Sequence, residues 1–343
     1  MSNERPEFPA IAPVPQGIYR PLWSVMIPSY NCINYLKPTL LSLLAQAPSP
    51  ELMQIEVIDN CSTEGDVEAL VKELSGGRVS FYRQPENIGV MGNFNACIKR
   101  SVGQIIHILH ADDIVLPGFY ATLQQAFEQE PTVGAAFCRS IYIDENGAQT
   151  ALSPSSRARA GIFPNLLESL TNSHLILVPA FVVKREVYER LGGYHLDLFH
   201  AGDIEIYMRI ASQYSVWYEP TPLACYRKHS QSQTFSLVKS GANAANVRLA
   251  IAICASYLSD RIITQLQEFE AINTFREVCW QLLKLDFAAA YIQMQEALKF
   301  SHSPKTIIKM IVFLTTLLLK VGVSRLQTML FKFANRPKIS SSN

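Results

Sequence analysis

Between Leu22 and His110, short apolar runs alternate with stretches of helical periodicity, and this alternation constrains the fold more than any other feature. Strands are expected at Leu22–Pro28, Gln54–Asp59, Val79–Arg83 and Gln104–His110, with helices at about Tyr35–Gln46, Asp66–Leu74 and Met91–Ser101. Strands separated by helices cannot close tight hairpins, so the run predicts βαβ units and a parallel α/β layer of the nucleotide-binding type. The strands end in polar residues: Ser29 and Asn31, Asp59 and Asn60, Asp112 and Asp113. In open α/β sheets ligands bind outside the carboxyl ends of strands, so a candidate site is located before any motif is considered.

Beyond Pro117 a helix leads to a hairpin, Val133–Ile143, turning at Asp144-Glu145-Asn146-Gly147, whose Asn-Gly supplies positive-φ positions. The sheet is expected to become mixed here. An exposed loop at Ala151–Gly161, a strand at Leu175–Val183, a helix at Asp203–Tyr214 and strands at Val216–Tyr218 and Leu223–Arg227 follow, and the chain reads as helical beyond Ser240. Thr63 and Asp66 have the spacing of a capping box for the second helix.

Composition narrows the function classes. Hydrophobic residues make up 48% of the 343, ample for a packed core, and 30 basic against 29 acidic residues leave no global field for a nucleic acid. The balance is uneven: eight basic and no acidic residues follow Ala297, leaving 22 basic against 29 acidic in positions 1–296. The seven cysteines are widely spaced without a C-x-x-C pair, which suggests neither a disulfide framework nor a zinc cluster and fits a reducing cytosol. Five prolines in the first 21 residues read as an extended lead-in rather than a signal peptide. The expected location is therefore cytoplasmic.

His110-Ala111-Asp112-Asp113 puts two carboxylates at the end of an apolar strand, a hard-oxygen set suited to Mg²⁺ or Mn²⁺ bridging to phosphates. Capping of the helix near Pro117 is the structural alternative. The chain has neither G-x-G-x-x-G nor G-x-x-x-x-G-K, so a metal would have to supply most of the neutralisation of a bound diphosphate.

These residues join a larger set. Pro28-Ser29-Tyr30-Asn31, Ile58-Asp59-Asn60-Cys61-Ser62-Thr63, Asn87-Ile88-Gly89 with Gly92-Asn93-Phe94-Asn95, and His110-Ala111-Asp112-Asp113 resemble, in order and spacing, the family 2 glycosyltransferases of GT-A fold. The likeness continues through Leu191-Gly192-Gly193-Tyr194, Gly202-Asp203-Ile204-Glu205 and Tyr226-Arg227-Lys228-His229, and covers about Trp23 to Ser232. It implies an α/β fold with a mixed, mostly parallel sheet flanked by helices, then a helical C-terminal region. It also implies a nucleotide-diphosphate-sugar site containing Pro28, Ser29, Tyr30, Asn31, Asp59, Asn87, Asn95, His110, Asp112 and Asp113. By the same resemblance Asp112 and His229 would hold Mn²⁺ or Mg²⁺, and Asp203 would be the general base of an inverting transfer to a hydroxyl of a glycan or lipid-linked acceptor. Two positions depart from the pattern: His110 stands where the family usually has Asp, and Gly202 where Glu commonly precedes the base, with Glu205 as a second acid nearby. Arg209 reads as a structural partner of a buried carboxylate.

The organisation expected is a lead-in at 1–21, a catalytic region at 22–235 and a helical region at 236–338 with a basic amphipathic segment at 305–333. The ten uncharged residues Met310–Leu319 are too few to span a bilayer. A helix lying on an anionic membrane at its inner face suits the segment, and packing against the catalytic region or a second subunit is the alternative. The competing functions are a sugar-nucleotide-forming nucleotidyltransferase, for which Ile27–Asn31 lacks a glycine-rich basic loop, and a non-catalytic nucleotide-sugar-binding protein.

Overall fold

A computed structural model describes residues 7–155, 157–229, 233–317 and 319. The first half alternates as expected: β1 (Trp23–Ser29), α1 (Ile33–Leu44), β2 (Met53–Asp59), α2 (Val67–Ser75), β3 (Ser80–Arg83), α3 (Gly89–Arg100) and β4 (Ile105–Ile108). Then come β5 (Ile114–Val115), α4 (Phe119–Gln129), β6 (Ala135–Ile143), β7 (Gln149–Leu152), β8 (Gly161–Ile162), α5 (Leu166–Leu170), β9 (Phe181–Lys184), α6 (Arg185–Leu191), α7 (Gly202–Ala211) and β10 (Val216–Arg227). The helices α8 (Gln233–Ser240), α9 (Ala242–Cys254), α10 (Asp260–Leu283) and α11 (Phe287–Phe300) follow, and residues 304–317 are helical.

The sheet runs β3-β2-β1-β4-β9-β6-β10-β5. β1, β2, β3 and β4 are parallel, with Ser29 opposite Asp59, whereas β9 lies antiparallel between β4 and β6. β6 and β10 are again parallel, so two antiparallel steps return them to the direction of β4. The carboxyl ends of β1, β2, β4, β6 and β10 therefore share one edge. Alternation along each strand splits the core between two faces. Val25, Ile27, Ile55 and Val57 pack with α1, α2 and α4, while Met26, Ile58, Ile106 and Phe137 join a larger cluster that extends through α3 and α7 into α9, α10 and α11.

Several local expectations are corrected. The strand expected at Leu175–Val183 is confined to Phe181–Lys184, because Val178-Pro179-Ala180 forms a 3₁₀ turn and Pro179 has no N–H for a ladder. Val216–Arg227 is one strand, bulged around Pro222, rather than two. β7 pairs antiparallel with β6 as the return strand of the expected hairpin, and the 151–161 loop ends in a short strand, β8, that the sequence did not reveal. The Thr63–Asp66 capping box does not form: Asp66 itself is the N-cap and accepts from the Ala69 N–H at 2.9 Å, while Thr63 is drawn to Asn31. Of the 305–333 segment, the part beyond Leu319 lies outside the described residues.

Candidate active site

The first wall of the site is three loops tied together at the ends of β1 and β2 and before α3. The Asn31 N–H donates to Ser62 Oγ (2.9 Å) and the Thr63 N–H donates to Asn31 Oδ1 (2.8 Å), which fixes Asn31 at a φ of 47°. Asp59 is buried beneath them, its carboxylate accepting from the Ser62 N–H (3.1 Å) and hydroxyl (2.5 Å), with Arg83 Nε 3.5 Å away. Both its oxygens are committed to shaping the loop. Asn60 Oδ1 accepts from the Ile88 N–H, and Asn87 Oδ1 accepts from Asn60 Nδ2 and the Gly89 N–H, so Asn87 joins the third loop to the second. Gly89 takes a φ of 76°, a left-handed turn into α3 that a side chain would resist. Tyr30 stands exposed at the rim, while Pro28 and Ser29 are buried in β1.

The second wall is the turn after β4. Thr39 of α1 braces it by donating to the Asp113 carbonyl (2.7 Å). The two adjacent carboxyls differ sharply. Asp113 is buried and accepts from the Arg227 N–H at 2.8 Å; burial and the neighbouring Asp112 charge push its pKa well up. Asp112 is partly open. Burial would raise its carboxyl, but a hydrogen bond from His229 and the charge of His110 hold it below the ordinary value. Asp112 is thus the carboxyl that carries the negative charge here.

His229, just beyond β10, places Nε2 3.0 Å from Asp112 Oδ2. Its ring lies 4.6 Å from that of Tyr35, and Arg227 donates from Nε to the Asp112 carbonyl at 2.8 Å while holding the 144–145 turn. His110 packs on Phe94, and burial lowers its pKa against the opposing pull of Asp112 and Asp203. Candidate ligand atoms of His110, Asp112 and Asp113 all lie within 4.8 Å of one another. His110 Nε2, Asp113 Oδ2 and His229 Nδ1 are buried without a hydrogen-bond partner among the described residues. The buried, unpartnered His110 Nε2 and Asp113 Oδ2, on residues grouped with the charged Asp112 carboxylate, fit a divalent cation of the Mn²⁺ or Mg²⁺ type.

Asp203 sits half-buried in the first turn of α7. Its field reaches His110, His200 and Tyr226. Opposite, it lines a small cavity with His174, Tyr207 and Glu270. Burial raises the Glu270 carboxyl, and its Oε1 has no hydrogen-bond partner among the described residues, lying 3.7 Å from His174 Nε2. A side chain at Gly202 would start 2.5 Å from Met91 Sδ, so packing of α3 occupies the space beside Asp203.

Two expectations end differently. Asn95 is buried away from the loop rim, donating to the Tyr194 carbonyl and accepting from the Tyr194 N–H, both at 2.8 Å; it fastens α3 to the 192–194 turn. Glu205, the second acid near the base position, is fully buried and paired with Arg209 at 2.9 Å, so it is no free base. Arg209 also donates to the carbonyls of Leu191 and Gly193, the structural role expected of it. Tyr35, Arg227, Glu270 and His174 had no role in the sequence reading. Arg227 lay inside a recognised motif, but its bond to Asp112 depends on the 3-D return of β10.

Residues 24–192 match the family model described as Glycosyl transferase family 2. The chain is 25% identical over 235 residues to an uncharacterised protein of Mycobacterium tuberculosis, covering 65% of this chain and 72% of that one. It is 33% identical over 97 residues to the putative teichuronic acid biosynthesis glycosyltransferase TuaG of Bacillus subtilis, covering 28% of this chain and 37% of TuaG. Among solved structures, S. aureus TarS 1-349 in complex with UDP-GlcNAc superposes with a TM-score of 0.59 at 15% identity, covering 81% of this chain and 91% of that one. Mannosyltransferase PcManGT from Pyrobaculum calidifontis, in complex with GDP-Man and Mn²⁺, gives 0.55 at 19%, covering 90% and 83%. The fold is that of these GT-A glycosyltransferases.

Proposed function

We propose, from the premise that this chain belongs to glycosyl transferase family 2, that it moves a sugar from a nucleotide diphosphate sugar to a hydroxyl of a glycan or lipid-linked acceptor with inversion at the anomeric carbon. The observation that carries this reading is the shared sheet edge, where the charged Asp112 with His229 and His110 faces the side on which Asp203 stands. The loops at 29–31, 59–63 and 87–89 form the adjoining wall for the nucleoside, shaped by Asp59, Asn60 and Asn87.

Asp112 and His229, with His110 alongside, would hold a divalent cation, Mn²⁺ or Mg²⁺, whose charge would offset that growing on the leaving diphosphate. Asp203 accepts the proton of the acceptor hydroxyl as its oxygen bonds to the anomeric carbon and the bond to the diphosphate breaks. A carboxylate is a weak base at neutral pH, so its contribution is chiefly positioning on a rigid helix. The region 22–235 would carry this chemistry. The names of TuaG and TarS favour cell-surface polysaccharide synthesis as the setting, an argument by analogy.

The test is release of free sugar from a panel of nucleotide sugars in Mn²⁺, with the anomeric configuration of the fresh product read by NMR. Inverted sugar from at least one donor supports the reading; retained configuration or no release from any donor contradicts it.

A further inference from the structure

The helical region ends in an apolar surface that no described residue covers. At the α10–α11 turn, Leu285 is 73% exposed, Phe287 66%, Tyr291 65% and Trp280 55%, with Leu283 also in solvent. Leu285 is held at a φ of 64°, which projects an aliphatic residue from the tip. Single exposed apolar residues are ordinary, but a cluster of this size marks a docking surface.

Helix 304–317 extends the cluster. Lys305 and Lys309 pair with Glu268 near the start of α10, and the Phe313 ring lies 5.5 Å from the Arg276 guanidinium, so this helix runs beside α10 in the same direction, toward Trp280. Its Met310, Phe313 and Leu314 pack inward, whereas Ile308, Ile311, Val312 and Leu319 face out. The chain after Leu319 carries Lys320, Arg325, Lys332, Arg336 and Lys338 and no acidic residue.

We propose that the α10–α11 turn and the outer face of helix 304–317 dock on an anionic lipid surface. Trp and Tyr flanking aliphatic residues suit a membrane–water interface, and the uniformly basic sequence that follows complements anionic headgroups. The surface extends the reading of a lipid-linked acceptor, but its test does not involve the donor.

The experiment is co-sedimentation of the full chain with phosphatidylcholine vesicles, with and without phosphatidylglycerol, at low and high salt. It is repeated for the triple variant Trp280→Ser, Leu285→Ser, Phe287→Ser, with thermal melting as a check on folding. The full chain is expected to pellet with the anionic vesicles at low salt, and the triple variant to bind roughly tenfold more weakly at an unchanged melting temperature. A full chain that stays in the supernatant, or a folded triple variant that binds like the unmodified chain, overturns the proposal. So does a dimer, by mass in solution, that the triple variant converts to monomer, since the face would then belong to a second copy. Vesicle binding without binding of any nucleoside diphosphate would contradict the proposed function and leave the docking surface standing.

Discussion

His229 Nε2 lies 3.0 Å from Asp112 Oδ2, a contact between residues 117 positions apart. It closes the site because β10 runs parallel to β6 and its end returns to the edge where β4 stops. The imidazole and the carboxylate satisfy each other here, and both would be candidates to hold a divalent cation. This pair leads to the first prediction. Asp112→Asn, which keeps the shape and removes the charge, should weaken binding of Mn²⁺ with a nucleoside diphosphate by roughly 10²-fold or more. Calorimetric titration checks it, and unchanged Mn²⁺ affinity would remove Asp112 from the cation site.

Asp203→Asn should leave nucleoside diphosphate binding intact while sugar transfer falls by roughly 10² to 10⁴, the range for loss of a positioned proton acceptor. Parallel loss of binding and turnover would make Asp203 a binding or structural residue.

Glu205 provides the contrast. Its carboxylate is buried against Arg209, so Glu205→Leu leaves an unpaired buried guanidinium and should cost about 3 to 5 kcal/mol of stability. Chemical denaturation measures this. A loss below about 1 kcal/mol would show that the buried pair contributes little.

The βαβ half was legible because strand and helix periodicities alternate cleanly from Trp23 to Ile108, and the polar residues at strand ends mark the edge where a ligand can sit. What stayed hidden was set by long-range packing. Asp112 and Asp113 look alike in sequence, yet only the fold shows that Asp113 is turned inward to the Arg227 N–H. Asn95 sits in a recognised motif, but its task is to hold the Tyr194 backbone. Glu270 reaches the neighbourhood of Asp203 from α10, which packs against α5 and α9, and His174 comes from the segment after α5, placements with no local signal. The basic amphipathic character of 305–333 was visible, but the sequence could not divide the apolar side of its described part, up to Leu319, into an inward and an outward face.

His107 makes the fold acid-sensitive. It is buried between the Tyr120 hydroxyl and the Pro179 carbonyl, and burial, only partly opposed by the Pro179 hydrogen bond, depresses its pKa from 6.5 to about 3. The unfolded chain takes up a proton below about 6.5 that the folded chain refuses until about 3. Stability should therefore fall as pH drops through that window, by at most about 1.4 kcal/mol per unit from this residue. Denaturation curves of His107→Gln should show a shallower decline over the same range; an identical slope would assign the acid sensitivity elsewhere.

The edge around Asp112 and His229 should act as a cation-dependent nucleoside diphosphate site. Calorimetric titration of the unmodified protein with UDP and with GDP, in Mn²⁺ and again in EDTA, tests it most directly. At least one of them should bind one to one in Mn²⁺, and EDTA should abolish the binding. Binding of neither nucleotide, or equal affinity in Mn²⁺ and EDTA, would contradict it.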